Sequence, residues 1–407
     1  MPSCTAAPIP TLSTRALNRA TLQRQWLLQR RRTTIVAAVE HLVGLQAQAP
    51  NPPYLALWAR VDGFLPGALT KLIEQRRVVR CALLRSTLHL VSARDLLALR
   101  PLLQPVLERG LRHSAHARHL NGIDLRELAA AAHRRLAQEP IASGELGAWL
   151  AQTYRGRDPT ALAMAARCQL PLVHVPPAGT WGSHKNAALC PADVWLDARR
   201  VPARPAAAND DPLEELVCRY LAVFGPASAA DIATWCGLTQ LKPALDALEP
   251  RLRRYQNDDG RLLYDLARTR LPDPDTPAPA RLLPGFDNLL LSHADRRRVL
   301  ADADRARVFG SNGLIKPVVL VDGFVRATWQ LEREQDRAVV TVEPFVKLSA
   351  AERDEIAAEA HGLMRAVEPD AGARDVRFAR VGMPTLQDMP LAGADAATTS
   401  RKQPVRP

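Results

Sequence analysis

Three times along the chain, short helical patterns give way to two extended segments joined by a turn, and this repeated order is the strongest restriction on the fold. In the first instance Pro52-Pro53 open a helix carrying Tyr54, Leu55, Leu57 and Trp58, Leu69 to Gln75 make another, and Val78 to Leu84 and Thr87 to Val91 are extended about Arg85-Ser86. In the second, Asp124 to His133, Ser143 to Leu150 and Pro159 to Cys168 are helical, and Leu172 to Val175 with the Gly179 to Gly182 turn suggests a short hairpin. The third is the cleanest. Leu213 to Phe224 are amphipathic, Ser228 caps Ala229 to Cys236, Thr239 opens Gln240 to Leu248, and Arg251 to Tyr255 and Arg261 to Leu266 flank the turn Asn257-Asp258-Asp259-Gly260. Helices followed by a two-stranded ribbon make a winged helix-turn-helix.

Pro202 to Pro212 and Asp273 to Pro279 have linker composition. Beyond the second, Lys316 to Val321, Phe324 to Gln330 and Ala338 to Val342 are strand-like, and Ala350 to Val367 is helical. The expected fold class is α+β, with tandem winged helix-turn-helix domains followed by a C-terminal, mainly β, barrel-like domain. The expected units are 11–95 (first winged helix), 96–200 (linking helices and second winged helix), 210–270 (third winged helix), 280–390 (β-rich domain) and 391–407 (disordered tail). Asp95 to Leu107 and Gly110 to Leu120 read as the linking helices. Within the latter, His113, His116 and His119 fall three apart, but the third drifts round the helix and strains a shared metal site, so a polar or DNA-facing stripe is the simpler account and no metal is expected.

Lys and Arg number 54 against 42 Asp and Glu, a formal charge of +12 that favours an anionic partner, nucleic acid first among them. Arginine supplies most of it, as Arg30-Arg31-Arg32, Arg76-Arg77, Arg253-Arg254 and Arg296-Arg297-Arg298, and its planar fork suits phosphate. The alternative is a solvated basic surface. The 6 cysteines are scattered without zinc or redox spacing, and no apolar run is long enough for a bilayer or secretory leader. The expectation is a cytoplasmic, nucleoid-associated monomer that contacts no membrane and needs no obligate protein partner. No Gly-rich phosphate loop points to ATP, and no cofactor is expected.

One short stretch carries unusual chemistry. A helix starting near Thr33, with Val39, Leu42, Val43 and Leu45 as apolar members, is expected to run to Gln46 and stop before Pro50, leaving Gln46 and Gln48 where the backbone departs. Two such amides either bond the free carbonyls of the helix end or form a functional pair.

Five stretches in order resemble one family: Val43 to Pro50; Arg85-Ser86-Thr87-Leu88-His89-Leu90-Val91; Pro177 to Gly182; Leu283 to His293 with Asp295-Arg296; and Val321-Asp322-Gly323 leading to Trp329. Across about residues 11–385 the chain is similar to the winged-helix DNA glycosylases that unhook interstrand crosslinks, the bacterial family containing the azinomycin-resistance glycosylase. The resemblance implies a concave DNA-binding surface and a catalytic motif of glutamine, an apolar residue, then glutamine or aspartate. Gln46, Ala47 and Gln48 match its glutamine form.

The implied activity is that of a monofunctional DNA glycosylase on bulky N7-alkylated purines in double-stranded DNA, including interstrand crosslinks, with Gln46 and Gln48 catalytic. Arg80, Arg85, His89, Arg253 and Arg254 are expected to contact DNA. Trp181, Asp287 and His293 are expected at structural or minor-groove positions, the last two holding the C-terminal domain against the helices. Two alternatives stay open: a non-catalytic winged-helix duplex-binding protein or transcription regulator, and a protein-interaction scaffold.

Overall fold

The computed structural model describes residues 8–183, 186–197, 201, 211–310 and 313–381. Most of the first expected linker and all of the expected tail, 391–407, lie outside the described residues.

The ribbons of the first two units are joined. Val78–Ala82 pairs antiparallel with Leu88–Ser92, and through Cys81 opposite Val173 it also pairs with Leu172–His174 of the second unit. Ala188–Pro191 and Ile141–Ala142 continue the sheet on that side, and the two-residue strand Leu45–Gln46 forms the opposite edge, giving six strands. Free wings were expected. Val78, Val79, Arg80 and Cys81 are all buried, which two-sided coverage explains, so this strand sits inside a sheet and does not project into solvent.

The third unit carries helices Pro212–Phe224, Ala229–Cys236 and Lys242–Ala247 and the hairpin Leu252–Asn257 with Leu262–Leu266. Its caps follow the expected chemistry: Ser228 and Asp231 exchange side-chain and main-chain bonds across the first turn, and Gly237 closes the helix at φ 84°. Strand Thr11–Leu12 joins this hairpin in parallel, and helix Thr14–Arg24 docks beside it. There Arg24 meets buried Asp265 through two bonds of 2.7 and 2.8 Å.

The C-terminal strands Arg281–Leu283, Val318–Val321, Phe324–Glu334, Arg337–Pro344 and Ala373–Phe378 form one five-stranded sheet. It is open: among the described residues the first and last strands do not pair, which corrects the expected barrel. The last strand, unforeseen in the sequence, enters parallel to its neighbour after helix Ala350–Val367, and that helix covers the sheet's apolar face where closure would otherwise be needed.

Two helical boundaries also differ. The linking segments form one helix, Ala93–Arg112, despite Pro101 and Pro105, followed by a short turn Ala117–Leu120. His113 therefore caps the long helix while His116 and His119 lie beyond it. Among the described residues, groups of three metal-ligating side chains are absent, and no helix is long and apolar enough to cross a membrane. The helix expected to reach Gln46 is Ile35–His41. Val43 (φ 54°) and Gly44 (φ 89°) turn left-handed, their N–H groups donating to Glu40 and Val39 carbonyls at 3.2 and 2.9 Å, so the chain reverses and Gln46 enters a strand. A Cβ on Gly44 would stand 2.6 Å from Val91 Cγ1.

The loop Leu283 to His293 fastens the C-terminal sheet to this core. Asp287 receives Arg60 through bonds of 2.9 and 2.7 Å, both side chains fully buried, and accepts the Leu289 N–H. Asp287→Ala leaves Arg60 charged and buried without its partner. The expected loss is about 3–5 kcal/mol in urea unfolding, and a loss below about 1 kcal/mol would mean that the pair does not carry this junction.

Candidate active site

Gln46 stands opposite His89 on the sheet edge and is 7% exposed, whereas Gln48 is exposed. Strand pairing ends just after Gln46, where the Ala47 N–H donates to Leu88 O at 2.7 Å. The motif thus presents one amide anchored in the fold and one directed to solvent, on either side of buried Ala47.

Gln46 is held by Arg85. Arg85 Nη2 donates to Gln46 Oε1 at 2.8 Å and lies 3.3 Å from His89 Nε2, while Arg85 Nη1 donates to Trp235 O at 2.6 Å. His89 Nδ1 is 3.0 Å from Thr87 O, an acceptor only, which puts the ring proton on Nδ1 and leaves Nε2 to accept from Arg85. Burial, then the Arg85 charge, pushes the imidazole down from 6.5 to about 3. His89 is 1% exposed and neutral. Burial likewise lowers Arg85 to about 10, which leaves it cationic at neutral pH.

The turn that aims Arg85 has two left-handed residues outside glycine, Arg85 at φ 54° and Ser86 at φ 60°. It is wedged between units. A Cβ on Gly237 would approach Val106 Cγ1 to 2.7 Å, and Arg109 donates to the Gly237 carbonyl beside the Trp235 carbonyl taken by Arg85. Two cations at the C-terminal end of helix Ala229–Cys236 also suit its dipole.

Arg80 supports the motif from below. Its Nε donates to Ala47 O at 2.8 Å and its Nη2 to Gln48 O at 3.1 Å. Arg80 and His89, expected to contact DNA, are thus buried supports of the glutamine segment. The carbonyls that Arg80 holds lie across the sheet, out of view in the linear sequence, whereas the partners of the His89 ring are two and four positions away.

The loop at Gly179–Gly182 rests on the chain just past the motif. Gly182 N donates to Asn51 Oδ1 at 2.9 Å, Tyr54 donates its hydroxyl proton to Gly179 O at 3.3 Å, and Trp181 meets Tyr54 edge-on at 5.3 Å. Trp181 is half-buried, with one side packed against Tyr54. Asp287 lines the same tight crevice as Gln46, but both its oxygens are engaged by Arg60. His293 is buried, its Nε2 2.9 Å from Phe224 O, and burial lowers it to about 3.

Arg253 and Arg254 are exposed on the third hairpin, Arg254 paired with Glu249 at 2.6 Å. Several of the remaining arginines are engaged by other side chains or carbonyls. Arg30 stacks on Trp58 and pairs with Glu359, Arg76 stacks on Trp195, and Arg298 is buried against Pro226 O. Asn288 was not singled out from the sequence. Its Nδ2 donates to Gly44 O at 2.8 Å and so braces the turn that feeds Gln46, a contact across 244 residues.

A family model described as DNA glycosylase AlkZ-like matches residues 39–366. The interstrand DNA cross-link repair glycosylase of Streptomyces sahachiroi is 28% identical over 150 residues, a match that spans 33% of this chain and 38% of that protein. The solved structure of Streptomyces sahachiroi DNA glycosylase AlkZ superposes with a TM-score of 0.72 at 21% identity, covering 91% of this chain and all of the other, and so shares its fold. With the family match running through the glutamine strand, the Arg85 turn and the first four strands of the C-terminal sheet, the chain belongs to the AlkZ-like DNA glycosylase family.

Proposed function

We propose that this protein hydrolyses the N-glycosidic bond of bulky N7-alkylated purines in duplex DNA, including purines joined across strands, with Gln46 and Gln48 as the catalytic pair. The observation that carries this is the fixed Gln46 amide, oriented by a buried guanidinium beside the exposed Gln48. The helix and hairpin units are taken as tandem winged helices that bring the duplex to this edge, with Arg253 an exposed phosphate donor on the third. The protein acts as a monomer on cytoplasmic, nucleoid DNA.

The chemistry matches weakly basic groups. A purine alkylated at N7 is already cationic, and cleavage of its bond to C1′ releases a neutral base, so the leaving group needs no strong acid. What remains is to place a water at C1′ and to stabilise positive charge developing on the sugar. Arg85 occupies one acceptor site of Gln46 Oε1, which fixes the amide plane; the second lone pair and the side-chain Oε1 of Gln48 can hold the water and point their dipoles at the sugar. Unmodified purines would leave as anions and are poor substrates. A crosslinked nucleotide cannot be fully extruded, so an open edge at the sheet suits it better than a deep base pocket. Excision proceeds without strand cleavage, and borohydride trapping of an enzyme–DNA adduct would contradict this.

Base release from duplex carrying a defined N7-alkylguanine, and separately an N7-linked crosslink, tests the assignment. The Gln46→Ala, Gln48→Ala double substitution is expected to lower single-turnover release by about 100-fold or more with duplex affinity retained. Wild-type protein that binds duplex tightly and releases neither base would instead be a regulatory or structural DNA-binding protein.

The pH profile gives a separate test. Because the folded-state pKa of His89 is depressed, its contribution to stability is full above 6.5 and is lost as pH falls toward about 3. Thermal stability is expected to decline below pH 6.5, while single-turnover release at saturating DNA stays flat from pH 6.5 to 8. A release limb near pH 6.5 that vanishes in His89→Gln would show that the imidazole titrates during the reaction.

A further inference from the structure

Arg80 has a second side. While Nε and Nη2 hold the carbonyls of Ala47 and Gln48, Nη1 lies 3.2 Å from His174 Nδ1. His174, at the end of strand Leu172–His174, lines a cavity of about 560 Å³ together with Arg167 from helix Pro159–Gln169, Ser143, Gly144 and Asn186.

The charges around this cavity are one-sided. Among the described residues, neither Arg80 nor Arg167 has a carboxylate within ion-pair distance, and each lies close enough to disfavour the other's neighbour: both act to depress the charge on His174. Burial, then Arg80, lowers His174 to about 3, so its ring is neutral. Glu145 is the acid on the wall, and its carboxylate accepts the Ala142 N–H at 2.9 Å at the start of its own helix. Since a guanidinium only donates, His174 Nδ1 must accept from Arg80, and the ring proton therefore sits on Nε2. The cavity thus offers an Arg167 fork and an imidazole N–H, backed by the Arg80 charge. Half-buried like charges without a counter-ion are costly unless an anion arrives.

We propose that this cavity seats a backbone phosphate of the damaged duplex, with Arg167 as its main donor and His174 Nε2–H as a second. Duplex DNA is favoured over a free anion because the exposed Gln48 lies on the other side of the same Arg80 guanidinium, so the phosphate would anchor the strand next to the glutamine motif. The proposal rests on duplex DNA being the substrate. It also assigns Arg80 as a positioning residue between phosphate and motif.

The test compares wild type with Arg167→Gln in duplex binding across a salt series, using duplexes with a single neutral methylphosphonate moved along each strand. Arg167→Gln is expected to weaken binding about tenfold and to reduce the slope of log affinity against log salt by about 0.9. One methylphosphonate position should weaken wild type about tenfold yet leave Arg167→Gln unaffected. Should Arg167→Gln not fold, Arg167→Met carries the comparison, keeping the apolar stem while removing the charge, with the same expected loss of slope. An unchanged slope with no discriminating position overturns the site, as does binding of inorganic phosphate at the cavity with no discriminating position, which would make it a free-anion site. Failure of wild type to bind duplex at all would sink the underlying function instead, so the two failures are distinguishable.

Discussion

A strand of two residues cannot hold itself in place, and the arrangement of the site depends on how Leu45–Gln46 is fixed from three sides. Backbone pairing to Leu90 and His89 sets its register. Arg85 takes the Gln46 side chain, Arg80 takes the two carbonyls that follow, and Asn288 braces the turn that precedes it. The pairing strand, Arg85 and Arg80 all belong to the hairpin spanning residues 78–92, and Asn288 comes from the C-terminal region. The Arg85 contact to Trp235 brings the third unit into the same assembly, and the Arg60–Asp287 pair ties in the C-terminal sheet. Displacing any of these units therefore moves the Gln46 amide, and in the proposed catalytic role a shift of about 1 Å is enough to cost about 100-fold in rate.

This division also explains where the arginines go. The composition points to a basic DNA-binding face, yet Arg19, Arg24, Arg60, Arg80, Arg219 and Arg298 are buried. Arg60, Arg24 and Arg219 each meet a buried aspartate through two bonds, at Asp287, Asp265 and Asp95. A planar fork with five donors satisfies several carbonyl and carboxylate oxygens at once, which lets one residue join elements far apart in sequence. Net charge thus overstates the surface available to phosphate, and exposed residues such as Arg253 and half-buried ones such as Arg167 gain weight.

What was legible in the sequence was local. The helix Ala350–Val367 has its expected bounds, Ser228 caps the helix it was expected to cap, and the Asn257 to Gly260 turn joins its two strands. These depend on periodicity, caps and turn residues within a few positions. The boundary at Gln46 was misplaced because Val43 adopts a left-handed conformation rare for a β-branched residue, held by Asn288 at a distance of more than 240 positions. The joined six-stranded sheet and the open C-terminal sheet were likewise set by long-range pairing, at Cys81 with Val173 and along Ala373–Phe378. In the site, residue types were readable but their partners were not: Arg80, Arg85 and His89 look alike in the sequence, and only the folded chain shows which main-chain or side-chain group each one holds.

The same geometry bears on why an amide, and not a carboxylate, stands at position 46. A carboxylate there would meet the Arg85 guanidinium at 2.8 Å and form a partly buried ion pair, its charge spent on its partner and no longer directed at the sugar. An amide accepts the same bond, keeps its second lone pair and adds no charge. Among the described residues the side chain beyond Ala47 meets no such cation, and Arg80 reaches only the main chain of Gln48. Electrostatics therefore restrict the first position of the motif more than the second. That asymmetry suits the proposed reaction, in which the substrate brings the positive charge and the two amides orient a water.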